Sequence, residues 1–223
     1  RQLDRLAETG RIELVKVEAA PVTSIAERLV AALDDRTAAV LVSSVLFGSA
    51  HIVPGLGTVA AACRARGAEL LVDAYHHLNV VPFSIAGEGL AAAFVVGGGY
   101  KYCQLGEGNC FMRVPPARDD LFPVVTGWFS EFAQLSQRPG GRVPYGAGSA
   151  RWAGATYDPT SHYRAARVFD FFNREALTLP VLREVSQHQV GRLATRFDAL
   201  DLDPATLTRD RSVPIEGLGG FLA

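Results

Sequence analysis

Lys101 lies in the stretch Gly97-Gly98-Gly99-Tyr100-Lys101-Tyr102, directly after the apolar run 91–96. Lysines are ordinarily solvated surface groups. Here the flanks are glycines and aromatics, which implies close backbone approach to another group and a partly desolvated amine. Desolvation lowers a lysine pKa and suits the amine to carbonyl chemistry through a Schiff base. A plain exposed lysine in a glycine-rich turn fits the same motif. The three glycines are not a dinucleotide fingerprint, because no strand–turn–helix unit carries them. A second candidate is Asp73, which ends the run Leu70-Leu71-Val72. An acid at the end of an apolar strand is costly unless paired. One suitable partner is a protonated pyridine nitrogen, whose charge a carboxylate would maintain; the other reading is a helix N-cap. Three positions on stands His76, which fits a place beside a cofactor and also, more commonly, a satisfied buried histidine.

Elements with defined ends must hold these residues. Residues 38–47 are a nearly continuous apolar run, which reads as a strand buried on both faces. Residues 68–74 form a second such run, 91–96 a third and 109–114 a fourth. Pro54 opens a helix that closes near Gly67. Residues 11–17 alternate polar and apolar, as a half-buried strand does. Ser24 with Glu27 fits a capping box for a helix whose apolar face is Ile25, Leu29, Val30 and Leu33. The alternation of strands and helices implies an α/β fold with a mainly parallel sheet covered on both faces. In such sheets ligands bind beyond the carboxyl ends of the strands. Asp73 and Lys101 both fall just past such ends.

After Pro115 the texture changes. Residues 135–150 are rich in Gly, Ser, Arg and Pro and read as a long loop. A helix from Pro159 to about Glu175 follows, with Tyr163, Val168, Phe171 and Phe172 expected inward. Another helix covers 180–199. The expected division is 1–155 for the sheet domain and 156–223 for connecting helices and the start of a smaller α+β domain.

The 223 residues are 48% hydrophobic and 20% charged, with a net charge of −1. This is globular composition, and the balanced charge argues against nucleic acid or an anionic membrane as partner. No apolar run is long enough to span a bilayer. The first residues lack an apolar signal core. The three cysteines (Cys63, Cys103 and Cys110) show no Cys-x-x-Cys spacing and fit a reducing cytoplasm. Cys103 and Cys110 read as small buried hydrophobes. His51, His77, His162 and His188 have no metal-ligand spacing, so no metal is expected. Asp119, Asp120, Arg138, Arg142 and Arg151 read as solvated loop. Both ends have the look of a span cut from a longer polypeptide.

Three pieces occur in order: Asp73-Ala74-Tyr75-His76, then Tyr100-Lys101-Tyr102 after a strand, then Thr126-Gly127-Trp128-Phe129. From about Val42 to Tyr163 the chain resembles kynureninase, within the class V aminotransferase-like group of fold type I enzymes that use pyridoxal 5'-phosphate (PLP). The resemblance implies that Lys101 holds PLP and later moves the α-proton, and that Asp73 pairs with the pyridine nitrogen. It places His76 beside the ring, Tyr100 at the phosphate and as an acid or base, and Ser44 as a cofactor contact from the preceding strand. Trp128 would border the phosphate and the substrate ring, and the resemblance implies a homodimer with its sites at the subunit interface. The activity so implied is hydrolysis of the Cβ–Cγ bond of a γ-keto amino acid, such as kynurenine or a related aryl amino acid, releasing alanine. Asp158-Pro159-Thr160 departs from the family pattern at a substrate-reading position, and an acid there argues against kynurenine itself. Gln104-Leu105-Gly106-Glu107-Gly108 departs as well. Another class V reaction, transamination or cysteine desulfuration, is the first alternative, and a catalytically silent relative keeping the fold is the second.

Overall fold

The computed structural model describes residues 1–116, 118–136 and 140–223. Its centre is a four-stranded sheet in the order β1 (Ala39–Ser43), β2 (Glu69–Asp73), β3 (Phe94–Gly98) and β4 (Cys110–Arg113). The first three strands are parallel, and β4 runs antiparallel to β3. Among the described residues five α-helices accompany them: α1 (Gln2–Glu8), α2 (Ile25–Ala31), α3 (Leu56–Arg66), α4 (Thr160–Arg174) and α5 (Leu179–Asp198). None is long and apolar enough to cross a membrane.

The core forms where α2 and α3 cover one face of the sheet. Val40, Val42, Leu70, Val72 and Val95 project from the strands against Ile25, Ala26, Leu56 and Val59. The expected apolar face of α2 is seen, since Leu29 and Val30 pack on this core and Leu33 lies within it. β1 differs from expectation. Only alternate residues are buried, and Leu41 is 49% exposed. Helices cover one of its faces and leave the other open, so the apolar run reflects β-propensity as much as burial. β3, paired on both sides, is the strand that hides both faces. α3 enters through Gly57, where an added Cβ would stand 2.3 Å from the carbonyl oxygen of Glu88. Backbone cannot step aside as a side chain can. Gly57→Ala is therefore expected to cost about 1–3 kcal/mol of stability, measurable as a shifted denaturation midpoint.

Other expectations fail for identifiable reasons. Residues 11–17 form no strand, none pairs with them among the described residues, and Val15 is exposed. Alternation yields a strand only when a neighbour takes its backbone hydrogen bonds. The capping box does not form: Ser24 Oγ accepts from Arg28 Nη1 at 2.7 Å, and Glu27 points to solvent. In α4 the covered stripe is Ser161 and Ala165, with Val168 and Phe172 half-buried. Tyr163 is 74% exposed and Phe171 44%. Small residues let the helix approach the loop before β4 closely, which turns the large rings outward. Arg151 is buried rather than solvated, donating to the carbonyl of Asp119 at 2.6 Å and to its carboxylate at 3.1 Å. Cys110 is exposed and Cys103 half-buried. Arg138 and part of the 135–150 loop lie outside the described residues.

Candidate active site at the carboxyl edge of the sheet

β2 and β3 end side by side, with Asp73 registered against Val96. The turn after β2 is fastened by the Asp73 carboxylate, whose Oδ1 accepts the Tyr75 amide at 2.9 Å. No helix follows among the described residues, so Asp73 is not a helix N-cap; it fastens a turn, and this uses only one of the two carboxylate oxygens. Ser44 is fully buried behind this turn, and its amide and hydroxyl both donate to the Asp73 carbonyl, at 2.9 and 3.2 Å. Ser44 therefore fixes the place of Asp73 through the backbone.

The β3–β4 connection, residues 99–109, carries Lys101. The Gly99 amide donates to Asn109 O at 2.6 Å, and the Leu105 amide donates to Gly99 O at 2.8 Å. Within that closed loop Gln104 N donates to Lys101 O at 3.0 Å, and Asn79 Nδ2 holds the Tyr102 carbonyl at 2.9 Å. From α4, Arg164 donates to the carbonyls of Leu105 and Glu107. This is the segment 104–108 in which the sequence departs from the kynureninase pattern, and it serves as a clasp between loop and helix. Gly98 has a steric reason: a Cβ there would fall 2.1 Å from a carbon of the Tyr75 ring and 2.9 Å from the Tyr100 ring.

The amine of Lys101 lies 5.1 Å from the centroid of the Tyr100 ring, a cation–π distance. Tyr100 packs in turn on Tyr75 at 5.7 Å. The Tyr75 hydroxyl is held well above the usual phenol range, first by its hydrogen bond with the Cys110 side chain and then by burial. His76 is half-buried and clusters with two rings, Phe47 at 5.5 Å and Phe221 at 5.2 Å. Burial pushes its imidazole below the usual histidine range. The positive charge of Lys101 pushes it down further, and the negative charge of Asp73 pulls it back. Both charges thus act on one neutral ring, whose Nδ1 is buried without a hydrogen-bond partner among the described residues. The neighbouring His77 turns into the core, with Nε2 3.0 Å from Pro82 O.

Asp73, His76, Tyr100 and Lys101 are therefore brought together, with Ser44 behind them. Trp128 and Asp158 sit elsewhere. Trp128 stacks on Phe129 at 4.5 Å and donates from Nε1 to Thr156 Oγ1 at 3.0 Å. Asp158 is exposed, and its carboxylate accepts the Thr160 amide and hydroxyl at 2.9 and 2.6 Å, which holds it below the usual carboxylate range. Neither residue makes a hydrogen bond, ion pair or ring contact with Lys101, Asp73 or His76 among the described residues. Sequence reasoning missed Tyr75, Phe47 and Phe221. Tyr75 stands inside the recognised motif, but nothing local in the chain links positions 47, 76 and 221.

No family model and no curated protein matches the chain. Solved structures do. The apo cysteine desulfurase of Thermococcus onnurineus NA1 superposes with a TM-score of 0.69 at 15% identity, over 98% of this chain and 51% of that one. A double mutant of the aspartate aminotransferase of Thermus thermophilus gives 0.57 at 17% identity, over 97% and 50%. The alanine–glyoxylate aminotransferase of Nostoc sp. gives 0.55 at 19% identity, over 87% and 48%. The chain spans about half the length of each. It has the mainly parallel α/β fold that these three enzymes contain, as the sequence resemblance implies.

Proposed function

We propose that this chain carries the lysine-bearing part of a PLP-dependent enzyme of the class V aminotransferase-like group, with Lys101 as the cofactor-holding residue. The observation that carries the reading is the convergence of Asp73, His76, Tyr100 and Lys101 at the shared carboxyl edge of β2 and β3. The residues fit PLP on three counts. Asp73 has a carboxylate oxygen beyond its turn bond, and among the described residues His76 has a buried unpartnered nitrogen and the Lys101 amine lies beside an aromatic face rather than in an ion pair. The likeness in fold to aminotransferases and a desulfurase supports the same cofactor class. In this reading residues 1–155 belong to the cofactor-binding domain and 156–223 to connecting helices and the start of a smaller domain. The enzyme works as a homodimer in the cytoplasm.

When bound, PLP supplies an electron sink for negative charge at the substrate's α-carbon. Lys101 would hold the cofactor through its Nζ, and the same amine would take and return the α-proton. The Asp73 carboxylate would keep the ring nitrogen protonated. His76 would offer Nδ1 to the cofactor's polar oxygen, and Tyr100 would serve its phosphate. The desulfurase and aminotransferase likenesses favour transamination or sulfur removal. Hydrolysis of a Cβ–Cγ bond is the second reading, and its support is the ordered Asp73, Lys101 and Trp128 motifs. In both readings Trp128 and Asp158 belong to the substrate's side of the site, a role whose support is the motif resemblance alone.

The test is an absorbance spectrum of the full-length protein with PLP, followed by borohydride reduction and peptide mapping. A visible band with a pyridoxyl group on Lys101 is expected. No band with excess PLP, or a label on another lysine, overturns the reading. Product analysis then separates the reactions: a keto acid from transamination, sulfide with alanine from cysteine, or an aromatic acid with alanine from hydrolysis.

A further inference from the structure

We infer that Phe221 is a positioning residue of this site, reaching from the C-terminal segment to fix the imidazole of His76. The inference rests on the PLP reading for its consequence, but the contact itself is independent of any ligand. The ring centroids of Phe221 and His76 lie 5.2 Å apart at 51°. Phe47, which is 75% exposed, adds a second ring contact at 5.5 Å, and the two phenyl rings stand 6.3 Å from each other, so the three rings form one cluster. Tilted contacts of this kind favour one ring plane over others.

The segment that carries Phe221 is firmly seated. Arg183 of α5 donates to the carbonyls of Leu218 and Glu216, at 3.0 and 2.8 Å. Leu218 is buried in a small cluster with Ala50 and Val190, on which Phe221 packs. Ile52 N donates to Gly217 O at 2.9 Å, and Gly219 N donates to Ala50 O at 2.7 Å. The buried His51 faces Asp210 at 3.3 Å from the same side. The loop after β1 and the C-terminal segment thus form one brace, which ends in two phenyl rings on the histidine. Held so, His76 keeps Nδ1 sheltered from water and unpartnered, as a single directed polar atom. The charged groups acting on the ring are Lys101 and Asp73.

The experiment compares the full chain with Phe221→Ala and Phe221→Leu. In the ligand-free wild type, NMR should show cross-relaxation between the His76 and Phe221 ring protons. The imidazole of His76 should titrate below the usual histidine range. In Phe221→Ala that titration should move up toward the ordinary value, because burial is its first cause, and affinity for PLP should fall about tenfold. Phe221→Leu, which keeps the burial, should restore most of the titration shift but not the affinity. Absence of ring cross-relaxation in the wild type overturns the inference, and that measurement does not depend on a variant folding. So does an unchanged His76 titration and affinity in a folded Phe221→Ala protein. If the wild type binds no PLP at all, the cofactor reading fails, and the NMR results still decide the contact.

Discussion

Replacing Lys101 with alanine is expected to abolish covalent retention of PLP and to lower turnover by at least about 10³-fold, the scale of a lost positioned base combined with a lost attachment point. The fold should survive. Lys101 has no ion pair among the described residues, and its loop is held by the backbone bonds of Gly99, Leu105 and Asn109 and by Arg164. The variant also has a readout that owes nothing to catalysis. Lys101 depresses the titration of His76 by its charge, so Lys101→Ala should raise that titration toward the ordinary histidine value. A protein that keeps its turnover without Lys101 would remove the lysine from the mechanism, whatever its position at the sheet edge.

Asp73→Asn should be nearly as costly for a different reason. Asparagine keeps an oxygen for the Tyr75 amide, so the turn that Asp73 fastens at 2.9 Å should persist. What disappears is the negative charge that would hold the cofactor's ring nitrogen protonated. Removing one member of a partly buried charge pair costs about 3 kcal/mol, which corresponds to a turnover loss of roughly 10²-fold. The sign at His76 is opposite to that of the lysine variant. Asp73 pulls the imidazole upward, so the asparagine should let it fall further. Opposite movements of one histidine resonance in the two variants would locate all three residues in one electrostatic unit. Equal turnover in wild type and Asp73→Asn would leave Asp73 as a turn residue only.

The parts of the fold that were readable in the sequence are those where local pattern and tertiary burial agree. The runs around Val40–Val42, Leu70–Val72 and Phe94–Val96 each end at a turn residue, and each becomes a strand of the sheet. The placement of Asp73 and of the loop bearing Lys101 beyond neighbouring strand ends was legible because topology alone brings such ends together. Residues 11–17 have the right alternation and no partner strand, so periodicity misled there. The faces of α4 were misread because Ser161 and Ala165, rather than the phenylalanines, make the close approach, and volume argues against guessing so. Burial of Arg151 depends on three carbonyl and carboxylate oxygens supplied by Asp119 and Leu121, which no spacing rule anticipates. Phe47 and Phe221 meet at His76 only because the C-terminal segment returns to the loop after β1.

The antiparallel turn of β4 has a consequence for how Lys101 is presented. A parallel strand would need a long crossover, whereas β4 lets the chain return directly, with Gly98 opposite Cys110. The lysine thus rides on a loop whose two ends are joined by the sheet itself and whose middle is held by Asn79 and Arg164. Freezing backbone costs about 1–2 kcal/mol per residue. For this loop that cost falls at folding, before any ligand arrives. Binding then has to order little more than the side chain of one lysine, and affinity is not spent on arranging the segment that bears it.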